Sequence, residues 1–123
     1  MSGLDELHER RFIGALKALV ELLRQHNIEK WANWFEGDLN DYLAGQGPPR
    51  QIARQKAVTE HVLMAFGGMS AFTQLQLCDA AGQPIPEANE RMQMLSEHVW
   101  AATRGVQGTL NALDMSHPNA RRT

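Results

Sequence analysis

A helical pattern in the middle of this chain is broken by Phe66-Gly67-Gly68-Met69-Ser70-Ala71-Phe72. Two adjacent glycines stand between two aromatics. Glycine tolerates the left-handed conformation that ends helices, so Gly67 is expected to adopt it, and Gly68 to let backbone approach backbone. Phe66, Gly67, Gly68 and Phe72 are therefore predicted to form a tightly turned structural junction, with both aromatics buried. The amphipathic stretches on either side must fold as separate helices.

Four such stretches follow the helical period. Over residues 4–26, Phe12, Leu16, Leu19 and Leu23 fall in one narrow stripe, opposite Arg10, Lys17, Glu21 and Arg24. Asn27 is a suitable terminator. Over residues 28–43, Ile28, Trp31, Phe35, Leu39 and Tyr42 share a face. Gly45 and the loop Gln46-Gly47-Pro48-Pro49 end that helix. A third helix is predicted over about residues 50–66, burying Ile52, Thr59, Val62, Leu63 and Phe66. Phe72 to Leu77 then alternates apolar and polar residues, which predicts a short extended segment lying over the core. Pro86 suits the first turn of a last helix over residues 87–113. Its stripe is Ala88, Met92, Leu95, Val99, Ala102, Val106, Leu110 and Leu113. Gly105 and Gly108 within it mark a kink, a close helix contact or a frayed end.

The predicted architecture is all-α. It is a four-helix bundle-like single domain over residues 1–113, with a Gly-Gly junction and an extended segment between helices three and four. Residues 114–123 are expected to be a flexible tail.

Charge and composition narrow the function classes. The 123 residues carry a formal charge of −2, and without Arg121 and Arg122 this becomes −4. Nucleic-acid binders usually show a basic excess, so that class is set aside. A mildly acidic surface suits a protein partner. No apolar run reaches the roughly 20 residues that span a bilayer. The first residues show neither a basic start nor an apolar signal core. Cys78 is the only cysteine, and a lone thiol fits a reducing compartment. The expectation is a cytoplasmic protein with no membrane partner.

Candidate chemistry is sparse. The histidines are His8, His26, His61, His98 and His117. Glu60-His61 and Glu97-His98 are adjacent pairs, and neighbours in sequence lie about 100° apart on a helix, so they do not converge on one ion. Asp5 and His8 have a workable spacing but no second pair. Zinc sites of the Cys/His type need more thiolates. Gly68-Met69-Ser70-Ala71-Phe72 lacks the closing glycine of a nucleophile elbow. Two glycines without a lysine make no phosphate loop. No catalytic residue, metal or cofactor is assigned, and the chain is read as a non-enzyme.

The aromatic helix offers more. Trp34 lies about 60° off Trp31, away from Phe35, with Lys30, Asp38 and Asp41 as helical neighbours. A tryptophan at the core border, rimmed mostly by acids, either caps the rim of the core or serves as a binding anchor. Lys30, Trp34, Asp38 and Asp41 are the predicted partner-binding surface. Trp100 occupies a similar flank on the last helix. Met64 and Met94 fall on outer faces.

Three segments carry a resemblance: Glu29-Lys30-Trp31-Ala32-Asn33-Trp34-Phe35, Ala65 to Phe72, and Ala88-Asn89-Glu90-Arg91. In that order they resemble an uncharacterised family of small bacterial helical proteins. That family has a W-x-x-W-F-like helix, a central F-G-G-M-G-S-F-like turn and a last helix opening with A-N-x-R. The chain departs from the pattern at Ser70-Ala71 and Thr73-Gln74. The resemblance implies an all-helical fold and an association with toxin immunity. The leading expectation is a protein-binding module, an immunity protein that occludes a cognate toxin. The alternatives are a self-associating helical module (a homo-oligomer), and a small-ligand pocket or enzyme near Gly67 and Gly68.

Overall fold

The computed structural model describes residues 3–44, 50–67 and 72–115. Four helices carry the fold: α1 (Gly3–Gln25), α2 (Glu29–Leu43), α3 (Arg50–Met64) and α4 (Pro86–Met115). α1 packs against α2 and α4, and α3 packs against the same two, so the helices close into a four-membered ring. The architecture is all-α and bundle-like, as the four stripes predicted. None of the described helices is long and apolar enough to cross a membrane.

The stripes fill the centre. Phe12, Leu16, Leu19 and Leu23 of α1 are fully buried, and Trp31, Phe35, Leu39 and Tyr42 of α2 face them. α3 adds Ile52, Val58 and Val62, and α4 adds Met92, Leu95, Val99, Val106 and Leu110. Leu113 departs from its predicted stripe position, because it stands exposed in the last turns of α4.

The α1–α2 corner is built by Asn27, which takes the left-handed conformation with φ 61°. The Ile28 amide donates to the Leu23 carbonyl at 2.8 Å and the Asn27 amide to that of Arg24 at 3.1 Å. That pair of bonds is a Schellman motif, and it satisfies carbonyls the helix leaves open. Ile28 packs on the core beside it. Arg24 then bolts the corner. Its guanidinium donates to both Glu36 carboxylate oxygens, at 2.7 and 2.9 Å, and to Asn33 Oδ1 at 2.9 Å. This ion pair pulls the Glu36 carboxyl below its ordinary range.

The Gly-Gly junction differs from expectation. Gly67 is not left-handed; Gly82 is the positive-φ glycine among the described residues, at φ 82°. A Cβ on Gly67 would meet only the Met64 carbonyl oxygen, at 3.4 Å. α3 ends instead in tightened turns, with the Ala65, Phe66 and Gly67 amides donating three residues back. Tight turns of that kind need no positive φ. Phe66 is half-buried, whereas Phe72 is buried. Gly68 lies outside the described residues.

Beyond the junction, Phe72–Gln74 forms one 3₁₀ turn and the chain then runs extended. Leu77 enters the core and is fully buried. Asn89 of α4 pins it: the Leu77 amide donates to Asn89 Oδ1 at 2.7 Å, and Asn89 Nδ2 donates to the carbonyls of Leu77 and Ile85, both at 2.9 Å. The side-chain amide thus takes the place of a paired strand. The alternation predicts an extended run from Phe72 to Leu77, but its first half is the 3₁₀ turn; the stretch after Gln74 leads to an isolated antiparallel bridge between Cys78 and Pro84.

Gly105 is a close helix contact. A Cβ there would lie 3.2 Å from the ring of His8, which bonds Thr109 Oγ1 at 3.2 Å. Gly108 faces open space.

Candidate functional site

Asp38 stands seven residues after Trp31, two helical turns on, and so points nearly the same way. That register carries its carboxylate into the α2–α3 seam, where only 4% of the residue is exposed. Asp38 is thus an inner acid of the seam, not one on an outer rim. Across the seam, His61 of α3 sets Nδ1 2.6 Å from Asp38 Oδ1. The imidazole also lies flat on Trp34, with ring centroids 4.1 Å apart and planes 11° from parallel. His61 is half-exposed and bonded to Asp38 on one side and stacked on Trp34 on the other.

Two polar atoms of this cluster are buried without a hydrogen-bond partner among the described residues: Trp34 Nε1 and Asp38 Oδ2. They belong to residues one turn apart on α2. Burial pushes the Asp38 carboxyl up to about 6 from an ordinary 3.8, and the His61 bond offsets only part of that. The nearby Asp41 charge adds to the rise. Asp41 itself is exposed and paired with Arg54 of α3 at 3.5 Å. Lys30 is also exposed, with Nζ 5.4 Å from the centroid of the Trp31 ring.

The four residues predicted as a partner surface therefore separate. Lys30 and Asp41 lie on the outside, Trp34 is half-covered by His61, and Asp38 is inside. What they form together is an edge whose middle is closed.

A second feature lies where the 3₁₀ turn meets α4. A groove of ≈ 490 Å³ has Phe66, Phe72 and Met92 on its apolar side, with Gln76, Gln93 and Glu97 among its polar lining. Phe66 and Phe72 meet edge to face at 5.4 Å and 89°. Trp100 stands at this groove and is 50% exposed. Arg104, one turn on, sits 6.0 Å from its ring centroid. Met64 is exposed at the end of α3, and Met94 stands out from α4, as their positions predicted.

Among the described residues no group of three or more His, Cys, Asp or Glu side chains could hold a metal ion. Asp38 and His61 form an acid–imidazole pair, but neither lines the groove at Trp100. Cys78 is exposed and unpaired with another cysteine.

Set beside known protein families, curated proteins and solved structures, the chain matches none of them.

Proposed function

We propose that the chain is a protein-binding module whose contact face is the groove between the 3₁₀ turn and α4, with Trp100 as its anchor. The observation that carries this is a half-exposed tryptophan beside an aromatic-lined groove of ≈ 490 Å³. Tryptophans concentrate at interface hot spots, and a cleft of that size admits a partner's side chains. The finer reading is an immunity protein that blocks a toxin by covering it. The family resemblance and the acidic balance of the chain support it. Occlusion needs shape and charge, and asks no chemistry of the covering protein. The free thiol of Cys78 fits a reducing cytoplasm.

The edge of Lys30, Trp34, Asp38 and Asp41 is the second contact face. The observation that favours it is the pair of buried polar atoms, Trp34 Nε1 and Asp38 Oδ2, that have no partner among the described residues.

Titration of the purified protein against the product of the adjacent gene tests both faces. Trp100→Ala is expected to keep the fold and weaken binding by about 30-fold, the equivalent of a hot spot of about 2 kcal/mol. If Trp100→Ala binds like wild type while a folded Trp34→Ala loses affinity, the contact face is the α2 edge. A concentration-dependent homodimer that ignores the neighbouring product would support the self-associating alternative.

A further inference from the structure

Between α1 and α4 the molecule holds another groove, of ≈ 650 Å³. Its walls are short. α1 turns Gly14, Ala15 and Ala18 to it, and α4 turns Ala101, Ala102 and Gly105. At spacings of three and four residues each trio lies along one face of its helix. Side chains this small leave the space between two helices unfilled, and Leu95 adds a larger apolar side chain to the lining.

The polar lining is of one sign. His8, Arg11 and His98 line the groove, and no Asp or Glu does. The groove at Trp100 has Glu97 in its lining, and the hollow between α1 and α2 has Glu21 and Glu36. On a chain with a formal charge of −2, a hollow with a cation and no acid reverses the local sign. Arg11 is exposed and has no ion-pair partner among the described residues. His8 is held in place. Its Nδ1 lies 3.2 Å from Thr109 Oγ1, and its ring takes the room that a Cβ on Gly105 would need. A glycine inside a helix costs about 1 kcal/mol against alanine, and here it seats the imidazole.

We propose that the α1–α4 groove binds a small carboxylate with an apolar body: the Arg11 guanidinium takes the charged group, and the small-residue walls take the body. A guanidinium matches a carboxylate with two parallel hydrogen bonds. One permanent cation balances one negative charge. A doubly charged phosphate would leave charge uncompensated against apolar walls. Clefts of this size between the helices of a bundle, apolar with a few polar groups, suit small ligands. A second copy of the chain fits poorly, since a two-fold contact would set two basic linings together. The site is separate from the groove at Trp100 and from the α2 edge, and stands without them.

The test is an amide nuclear magnetic resonance titration of the full chain with octanoate and, separately, with octanol, which keeps the apolar body and lacks the charge. Octanoate is expected to shift Gly14, Ala15, Ala101 and Gly105 to saturation, with a dissociation constant at least tenfold below that of octanol. Inorganic phosphate should give no saturable shift there. Arg11→Glu should abolish the tenfold preference, and Arg11→Lys should keep part of it. Should Arg11→Glu unfold, Ala101→Leu at an exposed position fills the groove instead and should weaken both probes. Equal affinity for octanoate and octanol, phosphate binding as tightly as octanoate, or the absence of shifts at the groove residues overturns the site. So does a preference that survives in folded Arg11→Glu, an affinity unchanged in Ala101→Leu, or shifts centred on Phe72 and Trp100.

Discussion

Replacing Asn89 with alanine tests how the segment after the junction is held. Three hydrogen bonds are lost, but they are not equal. The Leu77 carbonyl also accepts from the Ile85 amide at 2.9 Å, and the Ile85 carbonyl accepts from the Asn89 backbone amide at 3.0 Å. Both carbonyls keep a partner in Asn89→Ala. Among the described residues the Leu77 amide has only Asn89 Oδ1 as a partner, at 2.7 Å, and it belongs to a fully buried residue. An orphaned buried donor costs about 1–3 kcal/mol, whereas a redundant bond is worth about 0.5–1 kcal/mol. The expected loss is about 2–4 kcal/mol, dominated by one N–H. Urea unfolding with a shared slope measures it directly. Asn89→Asp is a harsher change than alanine, since it sets a carboxylate oxygen where Nδ2 donated, 2.9 Å from the Leu77 and Ile85 carbonyl oxygens. A loss below about 1 kcal/mol for alanine would refute the single-orphan argument.

Other expectations follow from the same contacts. Asp38 has a raised folded pKa, so its contribution is fully present below about 3.8 and is lost as pH rises through about 6. The stability of wild type relative to Asp38→Asn should therefore fall as pH rises from about 3.5 to about 7. Paired urea melts across that range check it, and a constant difference would contradict it. Gly67→Ala should shift the unfolding free energy by less than about 1 kcal/mol, since its φ is not positive and its Cβ site is nearly clear. A loss above about 2 kcal/mol by the same melts would restore the left-handed junction. Gly108→Ala should stabilise by about 0.5–1 kcal/mol through helix propensity. Gly105→Ala should gain less or lose, because its Cβ would press on His8 at 3.2 Å, and His8→Ala in the same chain should restore the gain in thermal melts.

The sequence made the helices and their inner faces readable because each stripe obeys one period over many residues. Phe12, Leu16, Leu19 and Leu23 could face only inward. Asn27 was readable as a stop for a local reason, since asparagine tolerates the left-handed conformation. The seam was harder. Asp38 lies on the stripe of Trp31 by simple spacing, and that signal was present, but a carboxylate on an apolar stripe is ordinarily placed outside. Its burial depends on His61, which comes 23 residues later on another helix. No local pattern joins the two. Asn89 was visible as part of a motif, yet its role needs the path of Leu77 through space. Gly67 misled because two adjacent glycines signal freedom without stating which conformation uses it.

The aromatics explain why the two candidate faces belong to one packing unit. Trp34 meets Trp31 at 5.2 Å, Trp31 meets Phe72 edge-on at 5.3 Å, and Phe72 meets Phe66 at 5.4 Å. Phe35 closes the set, 5.0 Å from Phe72 and 6.1 Å from Phe66. The chain of rings runs from beneath His61 to the groove beside Trp100. Offset and edge-on ring pairs of this kind are directional, so each ring fixes the tilt of the next. Phe72 is the hinge of the set because it touches Trp31 and Phe35 on the α2 side and Phe66 on the groove side. Its burial in turn depends on the 3₁₀ turn and on the extended segment that Asn89 pins through Leu77. The interruption between α3 and α4 is therefore what carries an aromatic from outside the four main helices into their core. A longer uninterrupted helix would carry Phe72 past α2, leaving Trp31 without its edge-on partner and the groove without its apolar floor.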